Sequence, residues 1–327
     1  MQPIRRVVCF GEALIDFLAN EVVPGKPRQF SEQAGGAPAN VAVGVARLGG
    51  DARFVGMLAE DMFGDFLIAQ LQMSGVDLGV IRRTDRARTA LAFVSLDGHG
   101  ERSFNFYRPP AADLLFAPGD FVDEDFTNTA VFHVCSNSLT TAGIALTTMH
   151  GMQRAARHGA IVSMDLNHRP ALWPADVDPL PVMWEALAHA HLVKLSREEL
   201  DYLARDGSVE SALSRLFSGS TRVVVITDAA APITWHTADA TGQFPTHAVD
   251  VVDTTAAGDA FVAGLLHGLV AHTITLATLA HGFNNCATRH DLLRVASATG
   301  ALATTRHGAF AAMPTMEDVQ HLLEKTR

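Results

Sequence analysis

The sequence predicts an α/β protein: a doubly wound, mostly parallel sheet with helices on both faces, carrying a small antiparallel β lid. Three observations lead there. Short runs dense in Val and Ile do not alternate with polar residues, as expected of strands covered by helices on both sides. Longer segments with helical spacing fall between those runs, and strand–helix alternation on that scale favours a parallel sheet. Two stretches, 12–33 and 88–108, break the rhythm with strand-like segments of their own.

In chain order, buried strands are predicted over residues 7–10, 53–57, 131–134, 161–164, 192–195 and 223–226. Helices are predicted over 39–48, 63–74, 141–158, 182–190, 198–204 and 209–217. In the second irregular stretch, 89–96 and 103–107 alternate apolar with polar residues, and Asp97-Gly98-His99-Gly100 between them suits a hairpin turn. A small sheet packed at the edge of an α/β core is a natural lid. A last strand-like run, 246–252, precedes a helix over 260–270, and the chain is helical from there to the end. With no linker, repeat or low-complexity tract, one domain is expected over 1–327, its lid formed by about 12–33 and 88–108.

Composition excludes several classes of function. The chain has 327 residues, 48% hydrophobic and 18% charged, with a formal net charge of −10. Arg82-Arg83 with Arg86 and Arg88 is the densest basic stretch, and no basic stripe marks a nucleic-acid partner. The apolar run 261–270 is interrupted by Gly264, His267 and Gly268 and is too short to span a bilayer, so no membrane partner is expected. The first residues lack the pattern of a secretory signal. The three cysteines (Cys9, Cys135, Cys286) have no Cys-x-x-Cys spacing, which argues against a disulfide framework or zinc site and fits a reducing cytoplasm. The 15 histidines show no metal-ligand pairing.

The chemistry concentrates in Asp253-Thr254-Thr255-Ala256-Ala257-Gly258-Asp259, where a predicted strand turns into a helix. Small side chains at Ala256, Ala257 and Gly258 let a ligand approach the backbone, and the first amides of a helix bind anions. A carboxylate at Asp259 repels an anion held there. Its placement makes sense if it removes a proton from a hydroxyl about to attack phosphorus. The alternative is an ordinary Asp at a helix start, and this segment alone leaves both open.

Residues 253–266, Asp-Thr-Thr-Ala-Ala-Gly-Asp-Ala-Phe-Val-Ala-Gly-Leu-Leu, resemble the C-terminal signature of the ribokinase-like (PfkB) carbohydrate kinases. Residues 34–42, Ala-Gly-Gly-Ala-Pro-Ala-Asn-Val-Ala, resemble the family's glycine pair near the N-terminus. Gly11-Glu12 with Ile15-Asp16, Arg88-Thr89-Ala90, Phe106-Tyr107-Arg108, Asp165-Leu166-Asn167-His168-Arg169 and Lys194-Leu195-Ser196-Arg197-Glu198-Glu199 extend the likeness over nearly the whole chain. Several of these look like bacterial fructokinases.

The resemblance implies a ribokinase-like three-layer sandwich and an ATP:sugar phosphotransferase, with fructose as the favoured sugar. A 2-keto-3-deoxygluconate kinase, or a sugar-binding sensor of the same fold with weak turnover, are the alternatives. Asp259 is implied as catalytic base and Ala256, Ala257 and Gly258 as the anion hole. Asp16, Gly35, Gly36, Asn40, Phe106, Arg108 and Arg169 are implied as sugar contacts. Isolated arginines are more often salt-bridge partners, and a buried aromatic on an alternating strand is more often core. Lys194, Ser196, Thr227 and Ser297 are implied on the nucleotide side. Glu199 would orient water on a magnesium ion that arrives with ATP, while Ser196 and Glu199 also read as a helix capping box. Asp253 and Thr255 resemble positions that help bind potassium in relatives. The family also suggests a homodimer joined through the lids. One departure stands out: relatives carry Thr-x-Gly-x-x-Gly where this chain has Thr227-Asp228-Ala229-Ala230-Ala231-Pro232, so the loop near ATP is altered.

Overall fold

The computed structural model describes residues 5–20, 25, 27–79, 81–96, 102–108 and 110–325. The strands are β1 (Arg6–Phe10), β2 (Leu14–Ala19), β3 (Phe30–Gly35), β4 (Ala52–Val55), β5 (Met57–Ala59), β6 (Arg82–Thr84), β7 (Leu91–Leu96), β8 (Arg102–Tyr107), β9 (Thr129–Cys135), β10 (Ile161–Asp165), β11 (Leu192–Ser196), β12 (Val223–Asp228), β13 (Ala231–His236) and β14 (Thr241–Phe244). The helices are α1 (Ala37–Arg47), α2 (Met62–Met73), α3 (Ala142–Arg157), α4 (Leu180–Leu187), α5 (Arg197–Leu203), α6 (Val209–Ser218), α7 (Ala257–Ala271), α8 (Leu279–Asn284), α9 (Cys286–Ala303) and α10 (Met316–Lys325).

Among the described residues, eight strands form one sheet in the order β14-β13-β12-β11-β10-β9-β1-β4. The pairs from β4 to β12 are parallel, and β13 and β14 add an antiparallel edge. Every residue of β9 and β10 is buried, which explains why their sequences show no polar alternation. Along β1 the side chains part by turns: Val7 and Cys9 join a cluster with α1, α7 and α9, while Val8 and Phe10 join one with α3 to α6. Helices thus cover both faces. The chain leaves β1 for β4 on one side and later returns to β9 on the other. The crevice beyond the carboxyl ends of β1 and β9 is therefore the switch point where ligands bind in open α/β sheets.

The lid is a second sheet of order β3-β2-β7-β8. Its two hairpins are antiparallel, but the central pair β2–β7 is parallel, with Ile15 opposite Leu91 and Phe17 opposite Phe93. The expected all-antiparallel lid is corrected on that point, because both strands leave the core in the same sense. The turn expected at residues 97–100 lies outside the described residues. A ladder of rings crosses one lid face: Phe17 stacks on Phe93 with centroids 5.1 Å apart, and Phe30 and Tyr107 each meet Phe93 edge-on at 5.4 Å.

A further expectation fails. Residues 246–252 form no strand; Val251 and Val252 are exposed, and the amides of Val252 and Asp253 donate to Thr304 O beyond the end of α9. The sheet edge is taken instead by β13 and β14, which sequence reasoning missed. The turn from β12 into β13, Ala229-Ala230, puts Ala229 at φ 45°, a left-handed conformation usually left to glycine. The loop that lacks the family's glycines still makes the turn, at a steric cost from the Cβ. Among the described residues no single helix is long and apolar enough to cross a membrane.

Candidate active site

Helix α7 begins in an unusual way. Its N-cap residue Ala256 sits at φ 57°, and no side chain caps the first turn. The preceding turn is fixed by Asp253, whose Oδ1 accepts from Thr255 N at 2.7 Å and whose Oδ2 accepts from Gly308 N at 3.1 Å. The amide of Ala257 donates to Thr254 O at 3.3 Å, and the amides that follow it stand where helix ends bind anions.

Asp259, the third residue of α7, is 8% exposed, and its Oδ2 accepts a 2.7 Å hydrogen bond from Asn40 Nδ2. Burial pushes its carboxyl up to about 6; the Asn40 bond opposes this, the charge of Asp165 adds to it, and Arg169 and Lys194 oppose it. A carboxyl tuned near neutrality suits a general base. Asn40 was expected to meet sugar hydroxyls with both donor and acceptor. One of its amide hydrogens is on Asp259, and its buried Oδ1 has no protein partner, so that acceptor is open to a ligand.

Around this pair the structure collects other expected residues. Gly35 lies against Asp16, since a Cβ there would fall 2.3 Å from Asp16 Oδ2. Gly36 at φ 106° starts α1, and a Cβ on it would sit 2.6 Å from Glu12 O. No side chain fits at either position without moving a neighbour. Arg169 is exposed yet close enough to Asp259 for its charge to be felt. Lys194 is 7% exposed, with Nζ 3.1 Å from Asp165 Oδ2.

Arg108 is a correction. It is 2% exposed and gives its guanidinium to Asp113 Oδ2 (2.9 Å from Nε), Asn137 O (2.7 Å) and Thr140 Oγ1 (3.3 Å). It fastens the lid's last strand to the core instead of facing a ligand. Phe106 is half-buried and packs on Leu14, Ala90, Ala92 and Ala111. Ser196 and Glu199 do form a capping box: Glu199 N donates to Ser196 Oγ and Ser196 N to Glu199 Oε2, with His168 N on Oε1. Thr227 lies one residue before the end of β12, half-buried, and Ser297 is 5% exposed on α9.

Sequence reasoning assigned no role to Glu12, Asn137 or Asp165. Glu12, 1% exposed, accepts from Asn137 Nδ2 (2.9 Å) and Ala37 N (3.3 Å), tying the start of α1 to the segment after β9. Burial raises its pKa, and the nearby Arg108 charge opposes that. The available signal was an acidic residue closing or just following a predominantly apolar strand, which holds for Glu12 and Asp165 alike. Asn40 Oδ1, Asn137 Oδ1, Asp165 Oδ1, Ser136 Oγ and Ser138 Oγ are buried without a partner in the protein. Such groups are costly unless a polar ligand or water meets them, and a polyhydroxylated ligand supplies donors and acceptors together. Among the described residues, no three or more His, Cys, Asp or Glu side chains group to hold a metal ion.

A buried carboxyl of raised pKa at the start of a helix, beside orphaned polar atoms at the switch point and below a lid, is the arrangement that phosphoryl transfer to a hydroxylated small molecule calls for. The sequence profile of the pfkB family carbohydrate kinases matches residues 4–316. The chain belongs to that family. It is 38% identical to a fructokinase of Klebsiella pneumoniae over 319 residues, 97% of this chain and 99% of that one. Among solved structures it resembles a fructokinase with bound ATP from Xylella fastidiosa, with a TM-score of 0.95, 50% identity and 99% of both chains covered. A double-mutant fructokinase from Vibrio cholerae O395 in fructose, ADP and potassium ion bound form gives a TM-score of 0.86 at 33% identity, again over 99% of both chains.

Proposed function

We propose that this carbohydrate kinase transfers the γ-phosphoryl group of ATP to a hydroxyl of fructose. The observation that carries the chemistry is Asp259, held by Asn40 at the open amides of α7. The fructose hydroxyl gives its proton to Asp259 as its oxygen bonds to the γ-phosphorus. The bond from that phosphorus to the β-phosphate oxygen breaks, and ADP leaves. The amides of Gly258 and Asp259 at the start of α7 stabilise charge on the transferring group. Glu199 would orient water on a magnesium ion arriving with ATP, an ion that would supply neutralisation of phosphate charge. Asp16, the backbone at Gly35 and Gly36, Asn40 Oδ1 and Arg169 meet the sugar. Thr227 and Ser297 lie on the nucleotide side.

Relatives of high identity and full coverage favour fructose. Removal of Arg108 from the open pocket weakens the sugar-acid alternative, which needs cations for a carboxylate. The raised pKa of Asp259 weighs against a sensor without turnover. Initial rates across fructose, 2-keto-3-deoxygluconate, ribose and nucleosides test the assignment; a sugar acid far ahead of fructose overturns it. With Asp259 as base, kcat/KM for fructose falls tenfold per pH unit below about 6 and is level above about 7. A profile flat down to pH 5 removes Asp259 from that role.

Asp253 and Thr255 help hold a potassium ion beside the α7 turn. Equal rates in potassium and choline salts contradict this. The ring ladder leaves Phe30 37% and Tyr107 67% exposed, an apolar patch that a second copy's lid covers. Sedimentation of the protein should give a dimer mass, reduced to a monomer by Phe30→Asp with Tyr107→Asp; a monomeric wild type refutes it. Residence in the cytoplasm, where ATP is held and thiols stay reduced, completes the proposal and is checked by cell fractionation.

A further inference from the structure

Helix α1 carries Asn40, the partner of Asp259, yet has no cap of its own. Its N-cap is Gly36, its first turn holds no acidic side chain, and Pro38 brings no amide to that turn. The amide of Ala37 donates instead to Glu12 Oε1, 25 positions earlier in the chain, at 3.3 Å. A carboxylate beside the first amides of a helix satisfies a donor there and answers the positive end of the dipole. Glu12 thus does for α1 what a side chain at the helix start does elsewhere.

The same oxygen accepts from Asn137 Nδ2 at 2.9 Å, while Oε2 meets only Cys135 Sγ at 3.9 Å among the described residues. Asn137 passes the network on, because its carbonyl accepts from Arg108 Nη1 at 2.7 Å. Glu12 lies between β1 and β2, and Arg108 follows β8. The first and last strands of the lid therefore meet the start of α1 through one residue. Packing there is close, since a Cβ on Gly11 would fall 2.6 Å from both Pro38 Cγ and Ser138 Oγ.

Electrostatics alone does not call for an acid at this place. Arg108 already has Asp113. Burial raises the Glu12 carboxyl; the Arg108 charge and the Asn137 bond oppose this, and the Asp113 charge adds to it. A second buried carboxyl beside a matched pair is destabilising by itself.

We propose that Glu12 is a positioning residue of the reaction, a cap supplied from outside α1 that holds the helix so that Asn40 stays on Asp259, and that joins this helix to the lid. The inference rests on Asp259 as the base. Glu12 exchanges no proton with the sugar and acts through the backbone. Asn40 is within its reach, because Asn40 N closes the first turn of α1 on Gly36 O at 2.8 Å.

The test compares wild type with Glu12→Gln, Glu12→Asp and Glu12→Met. Both bonds fall on Oε1, so glutamine can keep them while losing the charge. Aspartate keeps the charge but is one methylene too short, and methionine keeps neither. Methionine leaves the Arg108–Asp113 pair matched, so no charge is stranded. The Asp259 carboxyl is titrated by carbon NMR of labelled aspartate, beside kcat and urea midpoints. In the methionine and aspartate variants its midpoint should move up by about half a unit to one unit, because the Asn40 bond that lowers it is loosened. Asp165, Arg169 and Lys194, whose charges also reach Asp259, are unchanged in all three. Loss of a negative charge by itself moves a neighbouring carboxyl down, so the direction separates the two causes. With the base displaced, kcat should fall about tenfold to a hundredfold, and glutamine should restore most of it. A merely structural Glu12 lowers the urea midpoint alone. An Asp259 midpoint that stays or falls in both variants, or an unchanged kcat in both, overturns the proposal. If wild type turns over no sugar, the kinase reading fails by itself, and the Asp259 titration still decides the role of Glu12.

Discussion

Asp259→Asn should lower kcat by about 10²–10⁴-fold with fructose affinity nearly unchanged, because the amide keeps the shape but cannot take the hydroxyl proton. The same substitution should make the protein more stable at neutral pH. Folding raises the carboxyl from 3.8 to about 6. The folded state thus binds this proton more tightly than the unfolded chain does. The group's favourable contribution is complete below about 3.8 and disappears as pH rises through about 6, leaving an ionised buried carboxylate above that. At pH 8 the variant is expected to gain up to about 3 kcal/mol, and at pH 4 almost nothing. Urea unfolding at both pH values, run beside the kinetics, checks both halves. A variant with normal kcat, or with equal stability change at both pH values, would contradict the assignment of Asp259 as a buried base.

Arg108→Met should act on stability far more than on sugar recognition. Asp113 is left buried without its cation, and breaking a buried pair from one side costs about 3–5 kcal/mol. The side chains of the pair are 2% and 3% exposed, so solvent gives little relief. Adding Asp113→Asn removes the stranded charge and should recover much of the loss. Denaturant midpoints of the two variants measure the effect. The outcome that sinks this account is a stable Arg108→Met protein whose only defect is a raised KM for sugar.

Much of the α/β frame was legible because its strands are buried on both faces and its helices are punctuated by recognisable starts. The run Ile161–Asp165 has no exposed residue, and Ser196 with Glu199 caps α5 as their spacing predicts. The error at 246–252 has a physical cause: an apolar segment can run extended without pairing when its amides find carbonyls elsewhere, here Thr304 O. The short β13 and β14 escaped notice because few of their residues are buried and the turn from β12 into β13 lacks glycine. At the site, the residue types at Asp259, Gly35, Gly36 and Asn40 were readable from the two motifs. The pairing of Asn40 with Asp259 was not, since 219 positions separate them in the chain. Arg108 shows the same limit, because a guanidinium at a strand end serves a ligand or a carboxylate equally well until Asp113 is found beside it.

The parallel centre of the lid also sets an order of assembly. Ile15 meets Leu91 only after the intervening chain, with α1 and α2, has folded back along the core. Closing so long a loop costs entropy before the ladder gives anything in return, which makes such pairings slow to form. The outer hairpins need only neighbouring segments, but alone they are marginal in water. The roof over the sugar is therefore a late arrival in folding. It is also the unit that can come away while the eight-stranded sheet stays whole.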